Sequence, residues 1–328
     1  MKPINVKVIG TGSYVPEKVL TNEDLEKMVD TSDEWITTRT GIKTRRIAAE
    51  DEATSDMAYK AACKALDDAG LGPKDIDLII VATITPDMFF PSTACWVQEK
   101  LKAENATAFD LSAACSGYIF SYAIASGFLS SGTYKNALVI GAEKLTSILD
   151  WEDRGTCVIF GDGAGAAVLT ISSGDSQLLA YDLGSNGAYG DLLYIPGGGS
   201  KNPATEETVK NRMHYIKMNG NAVFKIAVNK MKETVINSMK KANIKPDDIS
   251  LLIPHQANLR IIDALRRALK LPEERVFVNI DKYGNTSAAS IAIAFDEAIK
   301  EGQIKRGDIV GFAAFGGGLT WGSAILKY

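Results

Sequence analysis

Apolar and polar positions fall along the chain in blocks of two kinds. The segment DIDLIIVAT, Asp75 to Thr83, is a short run of the type that forms a buried strand. A helical spacing begins near Ser92, and a second strand-like run surrounds Ala108. Strands alternating with helices predict an α/β fold. The most apolar helical stretch, Tyr118 to Leu129, spans about 12 residues and carries Ser121 and Ser126, against roughly 20 apolar residues for a membrane span, so none is expected.

The second half repeats the order of the first. KDIDLIIVA from Lys74 aligns with DDISLLIPH from Asp247, apolar on apolar, at a separation of 173 (247 minus 74). The stretch from Cys115 through SSGTYKNALVI aligns with that from Asn285 through KEGQIKRGDIV at 170 (285 minus 115), which brings Gly132 onto Gly302. Two copies of one α/β unit, residues 1–172 and 173–328, would pack about a pseudo-twofold axis with a site between them. The repeat places Cys115 and Asn285 on equivalent tips facing across that axis, with His255 on the same side at the end of the strand Leu251 to Ile253.

Composition narrows the function. The chain has 328 residues, 46% hydrophobic and 23% charged, enough for a large core, and its net charge of −4 lacks the basic footprint of a nucleic-acid binder. The opening MKPINVKVIGTGSYVP has no continuous apolar signal region, and Cys63, Cys95, Cys115 and Cys157 form no CxxC pair. Both features predict a cytoplasmic protein with reduced thiols and no metal. With only two histidines, imidazole chemistry must use His214 or His255.

Cys115 lies in FDLSAACSGYIFSYAIASG, where strand gives way to small residues and then helix. A helix N-terminus there would favour the thiolate and offer N–H groups to a developing oxyanion. Cys63, Cys95 and Cys157 read as structural thiols. His255, in IPHQANLRII, follows a strand end, where α/β sheets place ligands, whereas His214 reads as surface or loop. Asn285, in KYGNTSAAS, is an ordinary cap by itself and a site candidate by its register against Cys115. The glycines of AAFGGGLTWGS suit either a tight turn or a close approach to ligand. FGDGAGAAVL, with GxGxG spacing and a strand following, is discounted as a dinucleotide site.

These motifs together, SAACSG, HQAN, GNTSAAS and FGGGLTWGSA, resemble the β-ketoacyl-acyl-carrier-protein synthase III family of the thiolase superfamily. GTGSYVP, TSDEWITTRTGI and RGTCVIFGDGAGAAVL extend the likeness almost end to end. The resemblance implies a five-layered αβαβα thiolase-like fold, a homodimer, and no cofactor beyond coenzyme A thioester as substrate. It implies Cys115 as nucleophile with His255 and Asn285 as its partners, and the N–H groups of Cys115 and Gly317 as oxyanion hole. Thr31, Trp35, Arg39 and Arg154 match coenzyme A contacts, and Phe90 matches an acyl-pocket residue supplied by the neighbouring subunit. Lys225, Arg260 and Arg267 match the dock for an acidic carrier protein, although a basic helix is equally a solvated face. The implied substrates are an acyl-CoA and malonyl-acyl-carrier protein, joined by decarboxylative condensation at the start of fatty acid synthesis. A related condensing enzyme of a polyketide- or quinolone-type pathway would keep the same triad. The polar segment Asn202 to Arg212 has no chemistry of its own.

Overall fold

The computed structural model describes residues 5–174 and 176–328, and in it the apolar runs are strands. The first half supplies β1 (Asn5–Tyr14), β2 (Leu78–Ala82), β3 (Thr107–Leu111), β4 (Asn136–Glu143) and β5 (Gly163–Ser172). They form one sheet in the order β1-β5-β4-β2-β3, parallel from β4 to β3 and antiparallel from β1 to β4. The second half supplies β6 (Gln177–Ser185), β7 (Leu251–Pro254), β8 (Ile309–Gly316) and β9 (Thr320–Lys327). Their order is β7-β8-β9-β6, with β7 and β8 parallel and the other pairs antiparallel. The helices that matter to the site are α1 (Asp33–Thr40), α2 (Thr54–Ala69), α3 (Thr93–Leu101), α4 (Gly117–Ser130), α5 (Gly220–Ala242), α6 (Leu259–Leu269) and α7 (Ala289–Lys300).

Because strand side chains alternate between faces, a strand apolar at every position must be covered on both sides. Leu78, Ile80, Ala137 and Val139 turn toward a core shared with Leu251, Ile253, Val310 and Phe312 of the other sheet. Tyr118, Ile119 and Tyr122 of α4 and Ile291 and Phe295 of α7 fill that shared core, so these two helices are the middle layer. Ile79, Val81, Leu138 and Ile140 face α2 and α3 on the outside. Leu252, Ala313 and Ile325 face α5 and α6 on the opposite outside. The result is the expected αβαβα stack.

The repeat is visible in strand pairing, and its register corrects the sequence alignment. Leu78 pairs with Ala137 and Leu251 with Val310, both partners shifted by 173 (251 minus 78; 310 minus 137). The same shift relates Ala114, φ 46°, to Ser287, φ 48°, just before the two middle helices. After those helices Gly132, φ 77°, and Gly302, φ 72°, are 170 apart (302 minus 132). The segment from the left-handed residue to the closing glycine is therefore three residues shorter in the second half (132 minus 114 against 302 minus 287), and the loop to β8 is correspondingly longer. At the helix starts the counterpart of Cys115 is Ala288, not Asn285. A fifth strand is reduced in the second half to an isolated bridge between Leu252 and Val276.

Glycines let the middle layer sit close to the sheets. A Cβ on Gly165 of β5 would stand 2.6 Å from the Ala292 backbone carbon of α7, and one on Gly141 of β4 only 2.2 Å from the Ala288 carbonyl oxygen. The GxGxG segment thus serves helix packing. Replacing Gly165 by alanine should lower stability by about 1–3 kcal/mol through overpacking. Thermal unfolding of the variant checks this, and an unchanged midpoint would mean that α7 can retreat at little cost.

Candidate active site

Between the end of β3 at Leu111 and the start of α4, Ala114 takes a left-handed φ of 46°. Such a conformation costs a non-glycine residue on the order of 1–2 kcal/mol and persists only where its surroundings enforce it. The turn is held from the second sheet: Thr320 Oγ1 of β9 donates to the Ala113 carbonyl at 2.9 Å. Gly316, ending β8, makes the room, since a Cβ there would lie 2.6 Å from the Cys115 nitrogen. Cys115 consequently stands in the single turn Ala114–Ser116 ahead of α4, where the strand end of the opposite half abuts it.

His255 follows the last residue of β7. Its N–H donates to the Ala313 carbonyl of β8 at 2.7 Å, and the residue is buried. The ring Nδ1 is 2.6 Å from Ser290 Oγ of α7. Gln256 secures this corner by donating to the carbonyls of Pro254 and Phe277 and accepting from the Asn279 N–H. Asn285 is held by its backbone, donating to the Ile159 carbonyl and accepting from the Gly161 N–H. Its Oδ1 accepts from the Ser287 N–H at 2.8 Å, which fixes the amide with its Nδ2 hydrogens free for a ligand.

Cys115, His255 and Asn285 line one cavity of about 430 Å³, whose mouth carries Arg39, Lys225 and Arg260. A second cavity of about 340 Å³ reaches Cys115 from the other side and is mostly apolar, with Leu145, Phe160, Ile195 and Ile216 in its wall and Gly317 beside the turn. Cys115, with Phe160 and Leu193, thus stands between a polar-mouthed channel and a greasy chamber.

Burial controls the electrostatics. It pushes the Cys115 thiol up to about 12, outweighing the Ser287 hydroxyl and the Cys115 N–H, which act the other way, while the Glu143 carboxylate adds to the rise. Burial also pulls His255 down to about 3. The site therefore holds a neutral thiol and a neutral imidazole. The thiolate that a helix N-terminus was expected to favour loses to desolvation. Glu143, ending β4, is pushed up to about 7 by burial and accepts from Thr83, Thr85 and the N–H groups of Ile84 and Thr85.

The other expected residues divide into two groups. Two guanidinium groups approach the Trp35 ring of α1, Arg39 at 4.8 Å and Arg154 at 5.2 Å from its centre. Thr31 nearby has a buried hydroxyl with no partner among the described residues. Lys225 and Arg260 flank the channel mouth, while Arg267, seven residues along α6 and so on the same helical face, is exposed and paired with Asp263 at 2.6 Å. Phe90 lies outside both cavities, 84% exposed beside an equally exposed Phe89. His214 lies against Tyr215 with the rings tilted at 45° and lines neither cavity. The polar segment 202–212 contains a short helix, Glu206–Lys210, and Arg212 ties it to Asp150 and Glu152. Ser287 and Ser290 carry little signal in the sequence: Ser290 is a hydroxyl within the apolar run ASIAIAF, and Ser287 has no such mark. Among the described residues no cluster of His, Cys, Asp or Glu could hold a metal ion, and no helix is long and apolar enough to cross a membrane.

Two family models match the chain: 3-oxoacyl-[acyl-carrier-protein (ACP)] synthase III over residues 109–187 and its C-terminal domain over 239–328. The chain is 59% identical over 322 residues to the beta-ketoacyl-[acyl-carrier-protein] synthase III of Caldanaerobacter subterraneus, covering 98% of this chain and 97% of that one. The crystal structure of 3-oxoacyl-[acyl-carrier-protein] synthase III from Aquifex aeolicus superposes with a TM-score of 0.93 at 56% identity, covering 98% of this chain and all of that one. The priming β-ketosynthase of the R1128 polyketide pathway superposes with a TM-score of 0.92 at 34% identity, covering 99% and 96%.

Since only thiolate reacts with alkylating agents, a thiol pushed up to about 12 should make Cys115 alkylation by iodoacetamide climb steadily with pH. The rise should be about tenfold per unit between pH 7 and 10. Peptide-level mass spectrometry follows the site, and a plateau below pH 8 would instead mean a thiolate–imidazolium pair.

Proposed function

The chain belongs to the β-ketoacyl-[acyl-carrier-protein] synthase III family, and from that premise we propose that it primes type II fatty acid synthesis by condensing an acyl-CoA with malonyl-acyl-carrier protein. The observation that carries this reading is that Cys115, His255 and Asn285 share one cavity, while Cys115 also opens onto an apolar chamber.

The acyl-CoA enters by the channel with its nucleotide end at the mouth. The Trp35 ring, with the Arg39 and Arg154 guanidinium groups 4.8 and 5.2 Å from its centre, offers an aromatic surface and two cations for adenine and phosphates, with Thr31 beside them. Cys115 sulfur attacks the thioester carbonyl, and the N–H groups of Cys115 and Gly317 hold the oxyanion. The C–S bond to coenzyme A breaks, and the departing sulfur takes the proton the thiol gave up. The acyl chain then lies in the apolar chamber.

Malonyl-carrier protein follows, its acidic surface met by Lys225, Arg260 and Arg267. Loss of CO2 leaves the electron pair of the broken C–C bond on an enolate, whose oxygen accepts from His255 Nε2–H and Asn285 Nδ2–H. The enolate carbon attacks the Cys115 thioester, the 3-ketoacyl product forms, and the cysteine sulfur regains a proton. No C–H proton has to be removed by a base, so an amide that cannot take a proton suits position 285.

Phe89 and Phe90 are large apolar side chains in solvent, and a second copy of the chain covering them accounts for Phe90 as part of a neighbour's acyl chamber. Four unpaired cysteines fit a reducing cytoplasm. A polyketide-priming role is the second reading, favoured by the R1128 likeness, but that likeness is weaker, at 34% identity, than the 59% to a fatty-acid-type synthase.

Alanine at His255 or Asn285 should slow malonyl decarboxylation by about 100-fold or more, the usual cost of a lost oxyanion donor. Release of labelled CO2 against transfer of a labelled acyl group to Cys115 separates the half-reactions, and equal losses in both would contradict this division of labour. In the same assays Arg267→Glu should raise the KM for malonyl-carrier protein and leave that for acyl-CoA unchanged.

A further inference from the structure

The 2.6 Å contact between His255 Nδ1 and Ser290 Oγ decides which nitrogen of the imidazole carries the proton. Both residues are buried, so neither ring nitrogen nor hydroxyl can turn to bulk water. Ser290 sits in the first turn of α7, and its backbone N–H is already engaged with the Ser287 carbonyl. Among the described residues its hydroxyl has one hydrogen-bond partner, His255 Nδ1. Were Nδ1 protonated, it would donate to Oγ, and the serine proton would be left buried without an acceptor. With Nδ1 bare, the hydroxyl donates to it and every proton is placed. The ring is then protonated at Nε2, and the neutral state is secured by burial.

We propose that Ser290 is a positioning residue that locks His255 in its Nε2–H tautomer, committing the ring to donate in the decarboxylation step and withholding it as a base toward Cys115. Ser290 touches neither substrate nor thiol in this role and acts through His255. The inference rests on the condensing-enzyme reading above and deepens it. It assigns a direction to the two half-reactions that the shared cavity alone does not: freeing the tautomer should harm decarboxylation and leave acylation intact or faster, because Nε2 becomes able to accept the thiol proton.

The only other histidine is His214, which lines neither cavity, so a His214→Gln background leaves one imidazole for nitrogen-15 NMR of histidine-labelled protein. Correlations through the ring carbon protons should report a neutral Nε2–H ring in that background. In Ser290→Ala the signals should move toward a tautomer mixture. Loss of one buried hydrogen bond shifts the tautomer ratio by about tenfold, so malonyl decarboxylation should fall by at least about twofold, and by up to about tenfold if the freed ring favours Nδ1–H, while acyl transfer to Cys115 is unchanged or faster. Ser290→Thr, which keeps the hydroxyl, should restore both. A protonated Nδ1 in the parent protein would overturn the proposal, as would equal loss of both half-reactions in a Ser290→Ala protein that melts like the parent. If the parent takes no acyl group at all, the condensing-enzyme reading fails, and the NMR result alone still upholds or overturns the tautomer assignment.

Discussion

The site depends on two places where backbone meets backbone without a side chain between. Gly316 at the end of β8 presses on the Cys115 nitrogen, and Gly141 in β4 presses on the Ala288 carbonyl. Each strand belongs to one half of the molecule and each helix start to the other, so the two contacts join the halves from both sides, although by the repeat's register Gly141 matches Ala314 and Gly316 matches Glu143. Any Cβ at these positions would push the halves apart by more than a hydrogen-bond length tolerates. Cys115 on one half can share a cavity with His255 and Asn285 on the other because the strand ends are bare.

From that convergence follows the electrostatic character of the site. Five layers leave the triad far from bulk water, and desolvation disfavours a charge on either sulfur or imidazole. A chemistry that generates its carbanion by losing CO2 suits such surroundings, since it asks for hydrogen-bond donors and not for a strong base. Asn285, with Oδ1 tied to the Ser287 N–H, and His255, with Nδ1 tied to Ser290, are both oriented as donors by neighbours on or just before α7. The helix that needs glycine-lined strands in order to pack is also the element that aims the polar groups.

Much of this was legible in the residues. Apolar runs at every position marked strands buried on both faces, and the offset of 173 between β2 and β7 survives in the observed pairing. Small residues around Cys115 and the strand end at His255 pointed to the site. The pairing of Cys115 with Asn285 across the axis was not legible correctly, because the segment from the left-handed residue to the closing glycine is three residues shorter in the second half, which is hidden when the helices are aligned by their glycine ends. The protonation state was hidden as well: a helix N-terminus is a sequence feature, whereas the depth of burial that overrides it comes from all five layers at once. Ser290 looked like any hydroxyl in an apolar helix until the fold brought β7 beside it. Motif likeness marked Trp35, Arg39 and Arg154, and the fold added that both guanidinium groups lie against the one indole.

The central claim is that Cys115 carries the acyl group as a thioester, and intact mass spectrometry tests it most directly. The protein is mixed with acetyl-CoA, isobutyryl-CoA or a longer acyl-CoA, with Cys115→Ala treated alongside. A mass gain of one acyl group in the parent and none in the variant is the predicted result. No gain with any primer, or the same gain in Cys115→Ala, would contradict the account.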